Sequence, residues 1–149
     1  MNKVFGILLI GLTTVLFYSH SIASVSVERA IQKRIEMFKS SKANVKKLRK
    51  LIRSGDTSEA VPLADFHVAW SKEMLMLFPL GSEGSTSNGS DASSDIWDSP
   101  IGFRNAIKQY KLKSEELRNA LISADPVSIH EIFQSFAGTC KGCHKQFRN

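Results

Sequence analysis

The stretch Ile129-His130-Glu131-Ile132-Phe133-Gln134-Ser135-Phe136-Ala137-Gly138-Thr139-Cys140-Lys141-Gly142-Cys143-His144-Lys145-Gln146-Phe147 repeats apolar or sulfur-bearing residues every three or four positions. Ile129, Phe133, Phe136, Cys140, Cys143/His144 and Phe147 therefore share one helical face. Ala124-Asp125-Pro126 reads as a short turn, with Asp125 as N-cap and Pro126 in the first helical position, so the spacing predicts a helix over 126–147. Working outward, Phe103, Ile107, Tyr110, Ser114, Leu117 and Leu121 form the stripe of a helix over 100–123. Leu63, Phe66, Trp70, Met74 and Leu77 do the same over 58–78, with Pro62 in the first turn and Pro79 and Gly81 as stops. Val27, Ile31, Arg34, Phe38, Ser41, Val45, Leu48 and Ile52 mark a first helix over 25–53, ended by Gly55-Asp56. Asp56, Thr57 or Ser58 is placed to cap the next helix. The Ser- and Gly-rich segment 82–94 reads as a mobile surface loop. No strand alternation competes and no internal repeat is visible. Four amphipathic helices joined by two short connections and one longer one predict an all-α, antiparallel four-helix bundle.

Cys140-Lys141-Gly142-Cys143-His144 carries the chemistry. Cys-x-x-Cys-His is the spacing of covalent haem attachment. Each thiol adds across one haem vinyl group to give a thioether. Positions 140, 143 and 144 share a helical face, so His144 is placed to reach the iron as the proximal ligand. The bundle is thus expected to enclose one covalently attached haem c. Two rivals remain for these residues. A redox dithiol wants its first Cys at a helix start after a strand, and this pair lies near a helix end. A zinc site wants a further ligand of matched spacing, and His67 and His130 are isolated.

The chain's 149 residues suggest one domain. Its start, Met1-Asn2-Lys3 followed by an apolar run to about Phe17 and by Ser21-Ile22-Ala23, reads as a secretory signal peptide over 1–23, cleaved after Ala23. The apolar run is shorter than the roughly 20 residues of a membrane span. The domain would then cover 24–149. Both cysteines sit three positions apart, too close for a stabilising staple. The formal charge of +6 favours acidic partners or anionic surfaces. Lys46-Lys47-Leu48-Arg49-Lys50 is the densest basic run, but without interleaved aromatics it gives no case for nucleic-acid binding. Arg34 is the odd member of the first apolar stripe. Either it meets a counter-charge, such as a haem propionate, or its stem snorkels to water from a helix edge.

The C-terminal Cys-Lys-Gly-Cys-His-Lys-Gln-Phe-Arg, Arg34-Ile35-Glu36-Met37-Phe38-Lys39-Ser40, and Phe78-Pro79-Leu80-Gly81-Ser82 followed by Ile96-Trp97 and Phe103 together resemble the class II cytochromes c. These are the cytochrome c′ family and its cytochrome c-556 relatives. The resemblance spans essentially the whole chain after the leader. It implies a periplasmic bundle around one haem c, in many members a homodimer, with no enzymatic activity. Cys140 and Cys143 would carry the thioethers, His144 the iron, and Arg34 would neighbour a propionate. Arg148 would flank the proximal imidazole, or else be a solvated helix-end charge. Phe38, four residues after Arg34, matches the position facing the open side of the iron. A phenyl ring there implies a five-coordinate iron that takes small gases such as NO or CO when the ring moves. Met37, one residue earlier, would instead imply a six-coordinate electron carrier of the c-556 type, exchanging electrons with an acidic redox partner protein.

Overall fold

The computed structural model describes the backbone of residues 10–124 and 126–149, and the side chains of residues 26–124 and 128–149. In chain order it contains α1 (Ile10–Ser54), α2 (Thr57–Glu73), a 3-10 turn (Met74–Leu77), the short α3 (Asp95–Asp98), α4 (Pro100–Ser123) and α5 (Pro126–Phe147). The helices expected over 100–123 and 126–147 have those bounds. The backbone of α1 already begins at Ile10, within the segment read as a leader. Residues 1–9 of that leader, and the expected Asp125 cap, lie outside the described residues. No helix among the described residues is long and apolar enough to cross a membrane.

Contacts fix the arrangement of the four long helices. His67 meets Tyr110 and Asp65 meets Arg118, so α2 and α4 run antiparallel. Phe103 stacks on Phe147 and Tyr110 on Phe136, which sets α4 against α5. Phe38 faces His144 and Arg49 lies over Phe133, which closes α5 back onto α1. Helix α1 packs on α2 and α5 and lies across the core from α4, which it reaches through the side-chain hydrogen bond between Ser41 and Tyr110. The result is the four-helix bundle expected from the apolar stripes. Its core is built on Leu48, Trp70, Phe103, Leu117, Leu121, Ile129, Phe133, Phe136 and Phe147, all buried.

Local chemistry explains the boundaries. Gly55 takes φ +74°, a left-handed conformation that glycine adopts without steric cost. The Asp56 side chain then accepts the Glu59 N–H at 3.2 Å, so of the three capping candidates Asp56 holds the position. The expected helix over 58–78 ends sooner, at Glu73. Its last turn tightens to 3-10, and Phe78 leaves helical geometry altogether because a residue preceding proline is pushed out of the α region.

Two further expectations change. The buried face of α2 consists of Ala60, Ala64, His67, Trp70 and Ser71, whereas Leu63, Phe66 and Leu77 are only half-buried. Small residues let α2 lie close to α4, and His67 is tolerated inside because Tyr110 hydrogen-bonds it. The segment 82–94 does not lie wholly on the surface but is tied into the core at several points. Ser82, Ser90 and Ser93 are buried. Gly84 N–H donates to the Ala92 carbonyl at 2.8 Å. A Cβ on Gly84 would come within 2.3 Å of the Ser90 carbonyl oxygen, so the fold of this segment depends on glycine there.

Candidate haem-attachment site

Helix α5 presents Cys140, Cys143 and His144 on adjacent positions of its last two turns. Both thiols are free and half-buried, packed against the apolar core. Burial raises the Cys140 thiol pKa above its ordinary value and pushes Cys143 up to about 11, helped by the nearby Cys140 sulfur. A redox dithiol depends on a thiolate stabilised near neutral pH, so the environment works against that rival. No cluster of three or more His, Cys, Asp or Glu suited to a metal ion exists among the described residues, so the pair has no zinc-type complement. His144 sits at the rim, open to solvent on one edge. Partial desolvation, followed by the positive charge of Arg148, holds its imidazole below the usual basicity, which favours the neutral form that binds metals.

Across the gap between α1 and α5, the ring of Phe38 meets the His144 imidazole with centroids 6.2 Å apart and planes at 69°. Phe38 is itself held edge-on by Trp70 at 5.4 Å and by Phe78 at 6.5 Å. Met37 lies about 100° around the helix from Phe38. It is half-buried and packs against the core. The structure thus brings the Phe38 and His144 rings together.

Arg34 is 2% exposed, so it does not snorkel from a helix edge. Its Nη1 donates to the Leu77 carbonyl at 3.1 Å and to Ser82 Oγ at 2.7 Å. Its Nη2 donates to the Ser82 carbonyl and, at 2.8 Å, to Ser90 Oγ. The guanidinium also lies 4.7 Å from the centre of the Phe78 ring. Burial lowers its pKa, and the Glu83 carboxylate opposes that shift. Arg34, one turn before Phe38, therefore clamps the 77–90 segment.

Arg148 fastens the other end of that segment. Its Nε and Nη2 donate to Asp91 Oδ2 at 3.0 and 2.6 Å. Ser93 N–H donates to the Phe147 carbonyl and Asn149 N–H to the Asp91 carbonyl, and Ala92 pairs with Arg148 in an antiparallel bridge. The expectation of a solvated helix-end charge at Arg148 is replaced by an ion pair, exposed but doubly bonded. The sequence reading missed Asp91, Ser82 and Ser90 as partners, because nothing local marks residues that find each other across half the chain.

Two buried indole N–H groups, on Trp70 and Trp97, have no acceptor among the described residues. An unmet buried donor costs roughly 1–3 kcal/mol, and a group carrying acceptors would relieve that of Trp70, whose ring packs edge-on against Phe38. Together with two protonated thiols and a neutral imidazole on one helical face, the residues present suit haem c. His67 is a different case. It is wholly buried, its Nδ1 lies 2.7 Å from the Tyr110 hydroxyl, and desolvation drives its pKa down to about 4.

Comparison with known proteins agrees with this geometry. The fold matches cytochrome c′ from Rubrivivax gelatinosus with a TM-score of 0.72 at 23% identity, over 80% of this chain and 94% of that one. It also matches a nitric oxide complex of a variant of cytochrome c prime from Alcaligenes xylosoxidans, with a TM-score of 0.73 at 18% identity, over 83% and 95% of the two chains. In sequence, cytochrome c′ from Rhodospirillum rubrum is 34% identical over 71 residues, 48% of this chain and 47% of that protein, so the match spans about half of the relative's length. The family model for Cytochrome C′ matches residues 29–148, which include Arg34, Phe38 and the whole Cys140–His144 motif. The chain belongs to the cytochrome c′ family, whose proteins carry covalently bound haem c.

Proposed function

We propose that this is an exported, periplasmic haem c protein that binds small uncharged gases such as NO and CO, and also carries electrons, without acting as an enzyme. The observation that carries the reading is the facing pair Phe38 and His144. Haem iron supplies the site that accepts a diatomic ligand or an electron. Cys140 and Cys143 would fix the ring edge as thioethers. Their thiols stay protonated because they are buried, so each brings the hydrogen that its addition to a vinyl group needs. His144 would bind the iron from the α5 side through its neutral imidazole. Phe38 has no atom that ligates iron. From the α1 side it would cover the open face, leaving the iron five-coordinate and admitting a ligand only when the ring turns away.

Trp70 and Phe78 support this role, because both brace the Phe38 ring. Arg34 has its Nη groups engaged by Leu77, Ser82 and Ser90, which leaves its Nε–H for a propionate. The nitric oxide complex of the Alcaligenes protein lends support to gas binding in this fold. The test is the absorption spectrum of the exported protein, ferric and ferrous, before and after CO. A high-spin ferrous spectrum that shifts with CO is expected. A low-spin spectrum indifferent to CO would overturn the five-coordinate assignment, and loss of the haem absorption band altogether would overturn the cofactor.

A further inference from the structure

Helix α1 has two unlike flanks. Relative to Phe38, at about 100° per residue, Arg49 falls at about 20°, Lys42 at about 40°, Arg53 at about 60° and Lys46 at about 80°. This is the flank turned toward α5, because Arg49 lies 5.9 Å over the Phe133 ring and Phe38 faces His144. On α5, Lys141 and Lys145 border the same gap from the other side, on the edge next to His144. All six side chains are solvent-exposed, and none takes part in an ion pair among the described residues. The lysines and arginines that do pair are Lys33, Lys47, Lys111, Lys113, Arg118 and Arg148. Helix α5 contains a single acid, Glu131, nearly three turns before Lys141. The seam that leads to His144 is thus framed by unpaired positive charge.

Unpaired cations held on two rigid helices form a fixed positive field, and such a field raises the encounter rate with an oppositely charged surface. Among the described residues the large exposed apolar side chains are Leu75, Met76, Leu80, Ile101, Leu112 and Ile122. None of these belongs to α1 or α5, so the described part of the seam offers no apolar wedge for a lipid bilayer. We propose that the α1–α5 seam, framed by Lys42, Lys46, Arg49, Arg53, Lys141 and Lys145, is the docking surface for an acidic electron-transfer protein. The inference rests on the reading of His144 as the iron ligand, and adds where the partner sits. An acidic carrier seated there would stand next to the helix edge that bears His144. Such a partner would give up one electron, becoming oxidised by one, and a haem iron held by His144 would take that electron in going from ferric to ferrous.

The experiment uses the haem-loaded protein with a reduced acidic flavodoxin as probe, followed by stopped flow. The double variant K42E/K46E is compared with R104E/K108E, two exposed positions on α4, whose backbone has no close approach to α1. Both variants change net charge by the same amount. At low ionic strength the seam variant is expected to be reduced about tenfold more slowly than wild type. The α4 variant should stay within about twofold, and the difference should collapse in roughly 0.5 M salt. K141E/K145E, on the other helix, should reproduce the loss, which guards against a local folding defect in α1. Equal slowing in the α4 and seam variants would overturn the surface, since net charge alone would then explain the rate. So would binding to vesicles of phosphatidylglycerol and phosphatidylcholine that exceeds binding to the flavodoxin. A protein without bound haem would instead defeat the reading beneath the proposal, and it shows in the spectrum before any rate is measured.

Discussion

Phe38 on α1 and His144 on α5 face each other edge to face, 6.2 Å between ring centres, where the first and last helices meet beside the Cys140–His144 motif. Phe38→Ala should open that side. CO and NO association rates are expected to rise by about tenfold or more, the equivalent of about 1.4 kcal/mol off the barrier. Met37→Ala should leave them near wild type. Flash photolysis of the CO complex measures both, and equal rates in wild type and Phe38→Ala would remove Phe38 from this role.

The Arg34 clamp should behave as a buried polar network. Arg34→Gln leaves the Ser82 and Leu77 carbonyls and two serine hydroxyls without their cationic donor, and a loss of about 2–4 kcal/mol is expected. Arg34→Lys should recover little, because one ammonium cannot satisfy acceptors spread around a planar fork. Urea midpoints give the stability, and limited proteolysis should show new cleavage between Ser82 and Ser94. A fully stable Arg34→Lys protein would contradict the clamp.

Acid should loosen the bundle through His67. Its pKa is about 4 when folded, against about 6.5 in an unfolded chain. Between those values the unfolded state binds the extra proton, so stability falls as pH drops from about 6.5 to about 4 and levels off below that. The full difference is on the order of 3 kcal/mol. Urea unfolding at pH 7 and pH 4.5 should show most of that fall, and His67→Phe should flatten it. A pH dependence unchanged in His67→Phe would assign the acid sensitivity elsewhere.

The Asp91–Arg148 pair should be energetically minor and locally decisive. Both side chains are about half exposed, so Asp91→Asn is expected to cost less than about 1 kcal/mol globally. Hydrogen exchange at Ser93 and Asn149, whose N–H groups bond across this junction, should nevertheless accelerate. A global loss as large as that of Arg34→Gln would mean the pair is misjudged.

Cys143→Ser should retain less haem, because one of the two covalent anchors is removed. Normal haem yield, read from absorbance per protein after acid extraction, would contradict the attachment site.

Much of this was legible in the sequence because it is local. The bounds of α4 and α5 follow from Pro100, Ala124 and Pro126 together with stripes that stay in phase, and the Cys140–His144 spacing alone points to haem attachment. Misread features depend on distant partners. The serines of 82–94 look like a solvated loop until Arg34, 48 and 56 positions earlier, buries Ser82 and Ser90. The α2 stripe was drawn through its largest apolar residues, yet α4 packs against the small ones, and His67 belongs inside only because Tyr110 is there to bond it. Met37 and Phe38 stand one residue apart in the sequence, and only the position of α5 shows that the Phe38 ring meets His144.

The strap from Ser82 to Ser94 also bears on the order in which the molecule is put together. Its fastenings join residues 48, 56 and 57 apart in the chain, whereas only two residues of sequence separate the end of α4 from the start of α5. Closing a long loop costs more chain entropy before its contacts repay it. The α4–α5 hairpin is therefore favoured to form early, and the straps that draw α1 toward α5 to form late. In that sequence of events Cys140, Cys143 and His144 are already arrayed on a formed helix while the seam beside them still stands open, a window in which a bulky planar group can enter sideways rather than being threaded into a finished bundle.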